Sequence, residues 1–123
     1  MSSEARELIA ALREAFERIA RKAQPLLEDP ALLDTETGRD LLDVICMQFL
    51  ASGEALKRVD KLCPGLLASR APHIDWKGAM GFRDVIAYQY FDLDAEQVLL
   101  ICREVLPAVV LAIRALEVDG LGR

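Results

Sequence analysis

The chain opens on a helical stripe. Leu8, Leu12, Phe16, Ile19, Ala23 and Leu27 recur at steps of three and four residues, which places them on one face of a helix. Ser3 is a candidate cap for its start, with Glu4 in the first turn, and "LLEDP" ends it near Pro30. A second helix is predicted from the Asp34–Gly38 region to about Leu62. Its first half, "LLDVICMQFLASG", is apolar on more than one side, as a central helix is. Its second half, "EALKRVDKL", keeps the stripe through Leu56, Val59 and Leu62 until "CPG" stops it. "LLASRAPHID" reads as a short helix or loop. Asp75 then caps a third main helix that starts at Trp76 and ends in "FDLD". Asp94, with Gln97 three residues on, has the spacing of a capping box and opens a fourth. That helix runs to about Glu117 with a kink at Pro107, leaving "VDGLGR" as a frayed tail. No strand pattern interrupts this order, since "VVLAI" is short and sits in helical context. The pattern predicts an all-α fold, a four- to five-helix up-and-down bundle forming a single domain over residues 1–123.

Composition changes this picture in one respect. At 53% hydrophobic the chain is slightly rich for a soluble monomer, most visibly in "LLDVICMQFL" and "VLPAVVLAI". A homodimer that covers part of this surface is therefore expected. The net charge of −5 argues against nucleic-acid binding driven by bulk charge, though not against a small basic site. The three cysteines are far apart, odd in number and without C-x-x-C spacing, which reads as free thiols in a reducing, cytoplasmic setting. The N-terminus alternates charged and apolar residues and is not a signal peptide. No apolar run is long enough to cross a bilayer, so no membrane association is expected.

The candidate chemistry is sparse outside one segment. A metal site is not expected, because the single histidine, His73, lies beside Pro72 in a loop and no E-x-x-H pair exists. No cofactor motif or glycine-rich phosphate loop is present; Gly78 and Gly81 read as positions of close helix contact. Glu54 in "SGEAL" reads as an ordinary carboxylate on a helix surface, with a buried polar contact as the alternative. The exception is "MGFRDVIAYQYFDLD", which carries Arg83, Asp84, Tyr88, Gln89 and Tyr90 within eight positions. On an ideal helix Arg83 and Tyr90 share a face, whereas Tyr88 lies about 140° round the axis from Arg83. Taken alone, the segment fits either a packed aromatic pair with a solvated arginine or a site.

The region from about Gly38 to Leu116 resembles the HepT-like branch of the HEPN superfamily, small helical proteins paired with a minimal nucleotidyltransferase in toxin–antitoxin modules. "SGEAL", "IDWKGAMGFRDVIAYQYFDLD" and "VLPAVVLAIRAL" carry the resemblance. Members of that family have an arginine, a polar residue, three further residues, then histidine, any residue and tyrosine. Arg83 matches the arginine, Asp84 the polar position and Tyr90 the tyrosine, while Tyr88 stands where the histidine belongs.

The resemblance implies a HEPN-like bundle that is a metal-independent endoribonuclease toxin, a hydrolase active as a dimer on RNA without a cofactor. Arg83, Asp84 and Tyr88 then occupy the catalytic positions. Arginine suits the charge that gathers on phosphate oxygens when a 2′-hydroxyl attacks the adjacent phosphodiester. Tyrosine, with an ordinary pKa of about 10, is a poorer base at neutral pH than histidine, so the substitution is expected to weaken activity. The resemblance also implies that Tyr90 is the residue to which a partner nucleotidyltransferase attaches AMP. On that reading the added phosphate falls beside Arg83. A non-catalytic helical partner of a nucleotidyltransferase is the competing class.

Overall fold

The computed structural model describes residues 1–121, with side chains to residue 120. Six α-helices follow in order, α1 (Ser3–Glu28), α2 (Glu36–Leu62), α3 (Leu66–Arg70), α4 (Trp76–Gln89), α5 (Ala95–Glu104) and α6 (Leu106–Leu121). Short 3-10 helices at Pro30–Asp34 and Tyr90–Asp92 complete the order, and the described residues contain no strand.

The caps explain the boundaries. Ser2, not Ser3, caps α1: its hydroxyl accepts from the Ala5 backbone N–H at 3.1 Å. The helix then ends at Glu28, two residues short of Pro30, and runs through Pro25 with little disturbance. Thr35 caps α2 by accepting from Gly38 at 3.0 Å. Cys63 follows the last turn of that helix, and Gly65 turns the chain with a φ of 80°. Asp75 and Asp94 cap α4 and α5 at the expected positions. The expected fourth helix is divided. Pro107 has no N–H to offer the turn below it, and the chain breaks at Val105 into α5 and α6. The tail expected to fray continues in α6 as far as Leu121, and Gly122 and Arg123 lie outside the described residues.

The α1 stripe is sealed. Ile9, Leu12, Phe16, Ile19, Ala23 and Leu26 are buried against α2, α5 and α6. Buried apolar surface contributes about 25 cal/mol per Å², so this seam accounts for much of the bundle's cohesion. Ion pairs lie across its edge, with Arg13 Nε 3.1 Å from Glu117 and Arg114 Nε 2.7 Å from Glu17. These are surface pairs and add little.

By contrast, α4 is held almost entirely by α2. Only Trp76 and Ile86 of this helix are buried. The Trp76 indole N–H donates to the Ala71 carbonyl at 3.0 Å, and the Phe49 and Phe82 rings meet edge to face at 5.1 Å. The other flank of α4 opens on an apolar groove of about 530 Å³ whose lining includes Phe49, Ser52, Phe82, Val85, Ile101 and Val109. A thinly attached helix beside an open groove carries Arg83, Asp84 and Tyr88, and Tyr90 follows its last residue.

Candidate functional site

Gly53 of α2 brings the site together. A Cβ there would stand 2.5 Å from Arg83 Cβ and 3.2 Å from its Cγ, so only glycine lets α4 lie this close. The two glycines expected to serve close packing do other things. Gly81 has open space around it, and a Cβ on Gly78 would meet the Asp75 carboxylate that caps the helix.

With its stem pressed on Gly53, the Arg83 head lies along the α2–α4 seam among opposite charges. Its Nε is 2.9 Å from Glu54 Oε1 and its Nη1 donates to Asp84 Oδ1 at 3.1 Å. Lys57, one turn along α2, places Nζ 3.7 Å from both carboxylates. Two cations and two anions thus alternate at one spot. The Glu54 contact is close but not aligned as a hydrogen bond, and Nε is sealed from solvent with no directed acceptor. Glu54 remains about half exposed as expected of a surface carboxylate, yet it also forms the cross-helix ion pair, so neither simple expectation describes it alone.

The aromatic residues go elsewhere. Tyr88 is 83% exposed and Phe91 98% exposed. The Tyr90 hydroxyl does not turn to Arg83 but donates to the Asp43 carboxylate on α2. That bond, more than burial, pushes the Tyr90 phenol up to about 12, because it stabilises the protonated form beside a negative charge. Asp43 and Glu54 lie eleven residues apart on nearly the same face of α2, about 16 Å along its axis. Arg83 and Tyr90 therefore meet one strip of α2 at two separate stations. The expectation that a phosphate on Tyr90 falls beside Arg83 gives way to one in which it falls beside Asp43. Glycine at position 53 and lysine at position 57 escaped the sequence reading. Their signal was a small residue and a cation flanking Glu54 by one and three positions, and it has meaning only once α4 is known to cross there.

Other titratable groups are less inviting. Cys46 is pushed up to about 11 and Cys102 to about 12, chiefly by burial, so neither thiol is a ready nucleophile. Among the described residues no three His, Cys, Asp or Glu side chains cluster to hold a metal, and no helix is long and apolar enough to cross a membrane.

The fold and site together define a class, an all-helical bundle with an arginine-centred charge cluster between two helices. A family model described as ribonuclease HepT-like matches residues 12–116. The chain belongs to that family. No curated protein and no solved structure matches it.

Proposed function

We propose that this chain is the toxin component of a HEPN/nucleotidyltransferase toxin–antitoxin module, a metal-independent endoribonuclease working in the cytoplasm as one helical domain. The observation that carries the reading is the Arg83 cluster, in a chain of the ribonuclease HepT-like family. Arg83 is the phosphate contact. Its planar donors match phosphodiester oxygens, and RNA replaces the contact now made to the Glu54 carboxylate. Asp84 orients the guanidinium through Nη1.

The active form is a homodimer. Val85 and Val105 are partly exposed apolar residues on the rim of the groove beside α4, and a second copy would cover such surface. The cognate nucleotidyltransferase silences the toxin by attaching AMP to Tyr90, a half-exposed tyrosine at the end of α4. The adduct adds a phosphate and a nucleoside beside Asp43, along the same strip of α2 that Arg83 meets, and blocks RNA running along that strip by bulk and charge.

One observation favours the second reading, a binding partner of the nucleotidyltransferase that no longer cuts RNA. The position of the family's histidine holds Tyr88, a tyrosine exposed on the surface. Expression with and without the neighbouring nucleotidyltransferase separates the two. Growth arrest, RNA breakdown and relief on co-expression support the toxin, with a one-AMP adduct that disappears in Tyr90→Phe. Normal growth and intact RNA in both cultures support the binding partner.

A further inference from the structure

We infer that Glu54 is the general base of RNA cleavage, in place of the absent histidine. This rests on the reading of Arg83 as the phosphate contact. A 2′-hydroxyl attacking a phosphate held on Arg83 needs a proton acceptor near that guanidinium. Two carboxylates pair with Arg83 among the described residues, Glu54 and Asp84. They differ in how they are engaged. Asp84 accepts a directed hydrogen bond from Arg83 Nη1 at 3.1 Å. Glu54 touches Nε at 2.9 Å without that alignment, and its side chain is 55% exposed. Its lone pairs are thus uncommitted to a directed bond and open to an incoming ribose.

Its placement is built into the fold. Gly53 fixes how closely Arg83 approaches α2, and Glu54 is the next residue. Lys57, 3.7 Å away and one turn further on, adds a second positive charge to balance the phosphate when it arrives. A carboxylate, a guanidinium and an ammonium group so arranged can deprotonate a hydroxyl and hold the charge that forms.

The step balances. The 2′-oxygen bonds to phosphorus as its proton passes to a Glu54 carboxylate oxygen. The bond from phosphorus to the 5′-oxygen breaks, and that oxygen takes a proton from water. The resulting hydroxide is neutralised by the proton that Glu54 returns to solvent. The products are a 2′,3′-cyclic phosphate and a 5′-hydroxyl, with no net consumption of water and no redox change.

The test uses the full chain, a labelled single-stranded RNA of mixed sequence, and EDTA. Glu54→Gln should lower kcat about 10²–10⁴-fold, the usual worth of a general base. Affinity for a 2′-O-methyl RNA of the same sequence, which cannot be cut, should be unchanged or tighter because a negative charge is gone. Glu54→Asp should restore part of the rate. Unchanged cleavage in Glu54→Gln overturns the assignment, as does loss of cleavage in Asp84→Asn with Glu54→Gln intact. RNA binding that depends on Arg83 without any cleavage by the wild-type chain also overturns it, while leaving Arg83 as a phosphate contact. Absence of RNA binding by the wild-type chain removes both readings together.

Discussion

Replacing Gly53 by alanine tests whether a close helix crossing builds the site. The added methyl would sit 2.5 Å from Arg83 Cβ, where ordinary contact needs at least 3.4 Å. The atom it meets is fixed to the α4 backbone, so rotation of a flexible side chain does not relieve the clash. Helix α4 must move away by about 1 Å. Alanine gains roughly 1 kcal/mol over glycine inside a helix, and overpacking costs about 1–3 kcal/mol. The net effect expected is a loss of about 0–2 kcal/mol. Gly81→Ala supplies the reference, since nothing lies within 4 Å of the new methyl. It should stabilise by about 0.5–1 kcal/mol. Urea unfolding followed by far-ultraviolet circular dichroism should therefore separate the two variants by about 0.5–3 kcal/mol, with similar slopes. A displacement of this size at a positioned group costs on the order of 10²-fold in rate, so Gly53→Ala should also cut RNA far more slowly. If Gly53→Ala is as stable as Gly81→Ala and as active as the wild type, the α2–α4 crossing does not set the position of Arg83.

Three further outcomes are expected. Tyr88→His should raise RNA cleavage, by up to about 10²–10⁴-fold, because it introduces a group that titrates near neutrality and can give the leaving 5′-oxygen its proton, the transfer that Glu54 leaves to water; no gain in rate would dissociate this position from proton transfer. In Tyr88→Phe, absorbance at 295 nm reports Tyr90 alone. Its phenol should ionise near 12, and Asp43→Asn should bring it down. The folded state holds this proton more tightly than the unfolded one, so the bond's contribution to stability is full below about pH 10 and is lost as pH rises towards 12. An ordinary pKa in the folded protein would show that the Asp43 bond does not form. A thiol reagent at pH 8 should label Cys63 first, and Cys46 and Cys102 only after unfolding, since both are buried; rapid labelling of three thiols in the folded protein would contradict the core packing.

Much of the fold was legible because burial imposes a period. The α1 stripe from Leu8 to Leu27 marked its buried side, although Leu26, rather than Leu27, is the residue fully enclosed. Asp75 and Asp94 announced two helix starts through a carboxylate's capacity to accept from orphan backbone N–H groups. The start of α1 was misplaced by one residue because Ser2 and Ser3 are equally good caps by type, and only the chain's approach decides between them. Pro107 was read as a kink, and the missing N–H instead ends α5 at Glu104, with α6 starting again at Leu106. The site was half legible. Arg83 and Asp84 are adjacent in sequence and meet in space, but the third and fourth charges, Glu54 and Lys57, come from another helix. Helical period places a residue on a face without stating which neighbour that face meets. The same limit explains Tyr90, correctly placed two turns from Arg83 yet bonded to an aspartate that sequence spacing did not single out.

Arg83 as the anchor of a metal-independent RNA cleavage meets its most direct test in one comparison. Wild-type and Arg83→Ala chains, matched for helical content and elution volume, are incubated with single-stranded RNA in excess EDTA, and the product ends are identified by mass spectrometry. If Arg83 anchors the cleavage, the wild type leaves 2′,3′-cyclic phosphate ends and Arg83→Ala, though folded, leaves the RNA intact. Cleavage by Arg83→Ala at the wild-type rate, or wild-type cleavage that appears only when a divalent metal is added, would contradict it.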